Sequence, residues 1–129
     1  MQIMMKRILL ALALVLTSTV AVNAAGISYP SKVTGKWCLI NQDEGGWRHF
    51  KRGSNCDDTT LVLQSNGNYV LSANEYEQRC KADPKSYFKG WTDYVCINHE
   101  EGRRSTRKYT NKFLVNVDTG ELMLSSDEP

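Results

Sequence analysis

Two histidines, His49 and His99, and four carboxylates, Asp57, Asp58, Glu100 and Glu101, are the side chains of this sequence best suited to moving protons. A pair of histidines, or a His/Glu pair supported by arginines, can run general acid–base cleavage of a phosphodiester, as small secreted ribonucleases do. The spacing supports this weakly. His49 falls in Trp47-Arg48-His49-Phe50-Lys51, an alternating stretch that puts its ring at a strand surface or rim. His99 abuts a turn, where polar residues belong on other grounds. Asp57-Asp58 caps a turn as readily as it shares a proton. The sequence has no G-x-S-x-G, no H-E-x-x-H and no P-loop. A carboxylate-pair glycosidase needs a longer cleft than a chain of this size readily builds. The expectation is a non-enzymatic protein with no catalytic residues and no cofactor.

Binding chemistry is better supplied. Arg48, Lys51 and Arg52 lie on one candidate strand, and Arg103, Arg104, Arg107 and Lys108 on another. Trp47, Trp91, Tyr87 and Tyr109 interleave with them. If the two ribbons are neighbours, they form a cationic strip with stacking rings, suited to a polyanion, a glycan or an acidic protein. The competing explanation is an edge strand guarded by charge against aggregation. The candidate contact residues are Arg48, Lys51, Arg52, Arg103, Arg104, Arg107, Trp47 and Trp91.

Four cysteines, Cys38, Cys56, Cys80 and Cys96, are dispersed rather than paired as C-x-x-C, and H-x-x-x-H is absent. That spacing does not suit a zinc knuckle, so no metal is expected. An even count in a short exported chain reads as two disulfides.

Export is read from the first residues. Lys6-Arg7 forms a positive n-region, residues 8–16 (ILLALALVL) an apolar run, and Val22-Asn23-Ala24-Ala25 a small-residue cleavage site. This is the pattern of a secretory signal peptide over residues 1–25. The run is too short for a stop-transfer helix, so no membrane span is expected after its removal. Residues 26–129 then form one domain, periplasmic or secreted. No lipobox cysteine sits at the cleavage site. The formal charge of +2 leaves with Lys6 and Arg7, so the remaining basic residues balance the 14 acidic ones. A globally basic nucleic-acid binder is disfavoured.

The elements that must position these residues are strands. Asn66-Gly67 between Leu61-Val62-Leu63 and Tyr69-Val70-Leu71 is a strong hairpin signal. Glu101-Gly102 and Thr119-Gly120 mark two more hairpins, and Gly45-Gly46 a fourth, less clearly. Tight turns between successive strands predict an antiparallel meander. Arg103, Ser105, Arg107 and Tyr109 alternate with Arg104, Thr106 and Lys108, which reads as a wet or edge strand. Residues 74–79 (NEYEQR) suit a polar strand better than a helical turn. Residues 26–33 read as a loosely held polar lead. The expected fold is all-β: a small antiparallel barrel or strongly curved sheet of about seven or eight strands. Its expected core is Trp37, Leu61, Leu63, Tyr69, Leu71, Trp91, Phe113, Val115, Val117 and Leu122. Strand pairing brings Cys38 to Cys56 and Cys80 to Cys96, although spacing alone leaves the other pairings open.

Gly35-Lys36-Trp37 at the start of the first strand resembles the Gly-x-Trp opening of lipocalins. That resemblance implies a tryptophan plugging one end of a barrel and a cavity for a small apolar ligand. Trp37, Cys38, Cys56, Cys80, Cys96, Glu101-Gly102 and residues 120–122 together resemble a group of small exported four-cysteine bacterial proteins of unknown function. This second resemblance implies a fold and a compartment, and transfers no activity. The functional expectation is an exported interaction module of the bacterial cell envelope. The alternatives are a lipocalin-like carrier and a periplasmic inhibitor of an exogenous enzyme such as lysozyme. The partner class stays open among protein, glycan and small apolar ligand, and the oligomeric state is likewise open.

Overall fold

Alternating apolar residues separated by glycine-bearing turns leave the chain one economical way to bury its apolar faces, which is to curl the sheet until they meet. The computed structural model describes residues 27–127 and shows this outcome. The stretch read as a signal peptide lies outside the described residues. Eight antiparallel strands close into a barrel: β1 Gly35–Gln42, β2 Arg48–Arg52, β3 Thr60–Leu63, β4 Tyr69–Ala73, β5 Tyr76–Phe88, β6 Trp91–Glu100, β7 Arg103–Val115 and β8 Leu122–Asp127.

From β3 to β8 the chain is the expected meander, each strand pairing with the next. The start departs from it. β2 does not pair with β3; β1 lies between them, and β2 closes the barrel against β8. Residues 53–59 therefore cross the outside of β1. Cys38 points outward beneath this crossover and is bonded to Cys56 within it. Leu39 N–H donates to Thr59 O, and Gly53 N–H to Lys36 O, tying the crossover to the strand it passes. Gly53 is required there, because a Cβ would stand 2.9 Å from Cys38 Sγ. The second disulfide joins Cys80 and Cys96, which face each other directly across β5 and β6. Both expected pairings are present, but Cys56 lies in a loop rather than at a strand end.

The interior is filled. Trp37, Phe50, Leu61, Leu63, Tyr69, Leu71, Tyr94, Phe113, Leu122 and Leu124 are buried together with both cysteines of the second disulfide. The ring of Tyr69 meets those of Tyr94 and Phe113 edge-on at 5.1 and 5.4 Å between centroids. Each such buried side chain stabilises the fold by about 1.5–3 kcal/mol relative to exposure. Val117 does not belong to this core. It lies beyond the end of β7, where the strand alternation has stopped, and is 90% exposed. Trp91 and Val115 are only partly buried.

The polar lead is also held more firmly than its composition suggests. Tyr29 N–H donates to Ser65 O, the Tyr29 ring packs on Phe113, and Val33 is buried. Val33 O accepts the indole N–H of Trp37 at 3.0 Å. The lead and Trp37 thus close one end of the barrel. Burial pushes the Tyr29 phenol up to about 12, with the Tyr87 phenol adding to the shift.

Candidate functional site

The other end is polar. There β4, β5, β6 and β7 finish in one row, Ala73 opposite Tyr76, Tyr76 opposite Glu100 and Glu100 opposite Arg103. The inward alternation of β5, β6 and β7 carries polar residues in the rows nearest this end. Three cross-strand rows result, because directly opposed residues share a face. Tyr76, Glu100 and Arg103 form the outermost; Gln78, Asn98 and Ser105 the next; Cys80, Cys96 and Arg107 the deepest. Asn98, Glu100, Glu101, Arg103, Arg104, Ser105 and Arg107 line a cleft of about 650 Å³.

Asn98 is the notable member. It is only 9% exposed, and its Oδ1 is buried without a hydrogen-bond partner. A buried acceptor left unpaired costs on the order of 1–3 kcal/mol. Such a group on the wall of a cleft is complementary to a ligand that carries an N–H or O–H. Arg48, the first residue of β2, lies on the far side of β8 from β7 and donates to Ser126 Oγ at 3.3 Å. Its field and that of Arg107 reach the phenol of Tyr76, whose pKa is nevertheless raised, chiefly by burial and then by the Tyr109 phenol. Below them Asn111 donates to the buried Tyr69 hydroxyl.

The basic-aromatic strip is thus divided by the fold. β2 and β7 are not neighbours, since β8 lies between them. Arg103, Arg104 and Arg107 line the cleft, and Arg48 lies beyond β8, outside its lining. Arg52 lies at the closed end, its guanidinium 4.1 Å from the centroid of the Trp37 ring and donating to the carbonyls of Thr34 and Lys32. Lys51 points outward on β2, opposite Cys38. Trp47 belongs to the β1–β2 turn, where its backbone N–H donates to Asp43 Oδ1. Trp91 starts β6 far from the cleft, with Lys112 Nζ 5.8 Å from its ring centroid.

The acid–base candidates are also dispersed. His49 faces outward between two carboxylates, Nε2 2.8 Å from Asp43 Oδ2 and Nδ1 3.0 Å from Glu121 Oε1. The hydrogen bond to Asp43, then that to Glu121, raises the imidazole pKa, and the same contact lowers that of Asp43. With both ring nitrogens engaged, His49 fastens the β1–β2 turn to the β7–β8 turn and offers no free base. His99 stands on the outer face of β6 opposite Arg104 and Glu77. Asp57 and Asp58 sit in the crossover. Among the described residues no group of three His, Cys, Asp or Glu side chains is placed to hold a metal ion.

Sequence reading reached the arginines of β7 but missed Tyr76, Gln78 and Asn98. The signal was present in β6, where Thr92, Tyr94, Cys96 and Asn98 alternate as one inward row. No protein-family model, curated protein or solved structure matches this chain.

Proposed function

We propose that this protein is an exported, non-enzymatic binding module that takes an acidic polypeptide partner at the arginine-lined mouth of its barrel. Two intramolecular disulfides support an oxidising compartment, and the resemblance to small exported four-cysteine bacterial proteins agrees with a periplasmic or secreted location. The carrying observation is the cleft that Asn98, with its unpartnered Oδ1, lines together with three arginines, Arg103, Arg104 and Arg107, and two carboxylates, Glu100 and Glu101. Arginine favours carboxylates through its planar fork of donors. The amide oxygen needs a donor, which a polypeptide supplies through its backbone N–H groups and a sulfated or phosphorylated polymer supplies less readily. The lipocalin-like carrier reading is weaker, because aromatic and leucine side chains occupy the interior where an apolar guest would sit.

The test is fluorescence anisotropy with a labelled Asp/Glu-rich peptide. Binding should weaken steeply between low salt and about 0.15 M, where the Debye length is about 8 Å. Replacing Arg103, Arg104 and Arg107 together by Glu should reduce affinity at least about tenfold, or about 1.4 kcal/mol. Lys51→Glu, on a different face, should leave it unchanged. Equal losses in the two variants would remove the cleft as the contact site, and no binding at low salt would remove the reading itself.

A further inference from the structure

At the end of β6 away from the cleft, large apolar side chains stand in solvent. β6 runs 10 residues from Trp91 to Glu100, so its two ends lie about 30 Å apart. Trp91 pairs with Phe88 of β5 and with Lys112 of β7. Thr92 and Asn111 beside them are buried, so Trp91 and Lys112 face outward, and Leu114 follows Lys112 on the same face. β7 runs on past Lys112 to Val115, which brings the tips of the β5–β6 and β7–β8 hairpins to the same end of the barrel. Phe88 is 67% exposed, Leu114 42%, and Val117, in the second tip, 90%. The first tip is held firmly. Lys89 and Gly90 both have positive φ, as a two-residue hairpin turn requires. Ser86 Oγ donates to Asp83 O and accepts the Asp93 N–H, and Asp83 Oδ1 accepts the Lys85 N–H. Apolar side chains exposed together on such a tip mark a contact surface.

We infer that these two hairpin tips dock on an anionic lipid bilayer, with Phe88, Leu114 and Val117 entering its interface and Lys85, Lys89 and Lys112 pairing with its phosphates. The charges are arranged for that surface. Lys89 Nζ stands 5.3 Å from the centroid of the Phe88 ring, and Lys112 Nζ 5.8 Å from that of Trp91. Gly90 leaves room for the Lys112 stem, since a Cβ there would stand 2.9 Å from Lys112 Cε. Each ring is thus paired with an ammonium group, a combination suited to the boundary between lipid tails and headgroups. The carboxylates at the bases of the hairpins are engaged: Asp83 holds the Lys85 N–H, Asp93 accepts the Thr110 hydroxyl, and Glu121 is hydrogen-bonded to His49. Asp118, beside Val117, sets a single negative charge against the three lysines. A sugar would stack on the ring faces where these ammonium groups stand, whereas a phosphate pairs with them. A bilayer also takes up a convex tip without a preformed pocket, and a second copy of this chain would bring lysines against lysines. Docking in this way leaves the arginine-lined cleft, at the opposite end of β6, clear of the membrane. The inference therefore stands independently of what the cleft binds.

Co-sedimentation with lipid vesicles tests this on the disulfide-bonded protein recovered after export. Partition onto vesicles of equal parts phosphatidylglycerol and phosphatidylcholine should exceed that onto phosphatidylcholine alone at least about tenfold. Phe88→Ser should lower it at least about fivefold, and Lys85→Glu combined with Lys89→Glu should remove the preference for anionic vesicles. All three positions are exposed, so these variants keep the fold. Val95→Ser, at an exposed apolar position midway along β6, should change nothing. Absence of binding to the anionic vesicles, equal binding to both kinds, or unchanged binding after Phe88→Ser would overturn the inference. A parent protein that sediments as a dimer without vesicles, and as a monomer once Phe88 is replaced, would assign the tips to a second copy and overturn it as well.

Discussion

Arg52 covers Trp37: its guanidinium carbon lies 4.1 Å from the centroid of the indole, while two of its nitrogens hold the carbonyls of Thr34 and Lys32. Gly35 makes room for this arrangement. It has φ +110°, and a Cβ there would stand 2.7 Å from Arg52 Nη1. The Gly-x-Trp opening is therefore explained by one physical unit, a glycine that admits an arginine and a tryptophan that the arginine caps.

Arg52→Ala should accordingly destabilise the fold by about 1–3 kcal/mol, from a lost cation–π contact and charge-assisted hydrogen bonds. The midpoint of urea unfolding measures it. Binding of an acidic peptide at the opposite end should not change once the variant is folded. A variant as stable as the parent would mean that the stack contributes nothing.

His49 couples stability to pH. Its folded-state pKa is raised by Asp43 and then Glu121, so its contribution is fully present below the unfolded value of about 6.5 and is lost as pH rises through the folded value. The pKa of Asp43 is lowered by His49 first, so its contribution is present above the unfolded value of about 3.9 and is lost as pH falls through the folded one. Stability should be greatest between those limits and decline as pH rises above the unfolded imidazole value and through the raised folded one. His49→Gln should flatten the alkaline decline. Denaturation midpoints from pH 5 to 9, taken as about three steps across the imidazole range, decide the matter; parallel profiles for the two proteins would exclude the clamp.

The two disulfides should open in a definite order. Cys80 and Cys96 are 4% and 0% exposed, whereas Cys56 lies half-buried in a surface crossover. Mild reductant followed by alkylation and peptide mapping should label Cys38 and Cys56 first. Removing either bridge should cost about 2–4 kcal/mol, since each closes a loop of comparable length, with sequence separations of 18 and 16.

Tyr29→Ala should be felt globally although the residue precedes the first strand. The ring packs on Phe113 at 6.2 Å between centroids and helps to close the barrel end. A loss of about 2–4 kcal/mol in unfolding free energy is expected. A change confined to local exchange of residues 27–34 would show instead that the segment only rests on the barrel.

How much of this was legible without coordinates depended on the range of the interactions. Asn66-Gly67, Glu101-Gly102 and Thr119-Gly120 marked hairpins because turn geometry is set by adjacent residues, and the two-residue period of β7 marked a strand for the same reason, although the closed barrel pairs it with both β6 and β8 instead of leaving it an edge. Those local rules carried the all-β class and the meander from β3 onward. Cysteine count and dispersion carried the disulfides. The place of β1 between β2 and β3 depends on pairings with no local signature, and sequence order suggested the wrong neighbour. The site followed the same division. The arginines of β7 could be named from the sequence, but that β8 separates them from Arg48 while Arg52 caps Trp37 at the far end was decided by barrel closure. That Asn98 Oδ1 is buried without a hydrogen-bond partner, in a row with Gln78 and Ser105, was decided by the three-dimensional register of the strands.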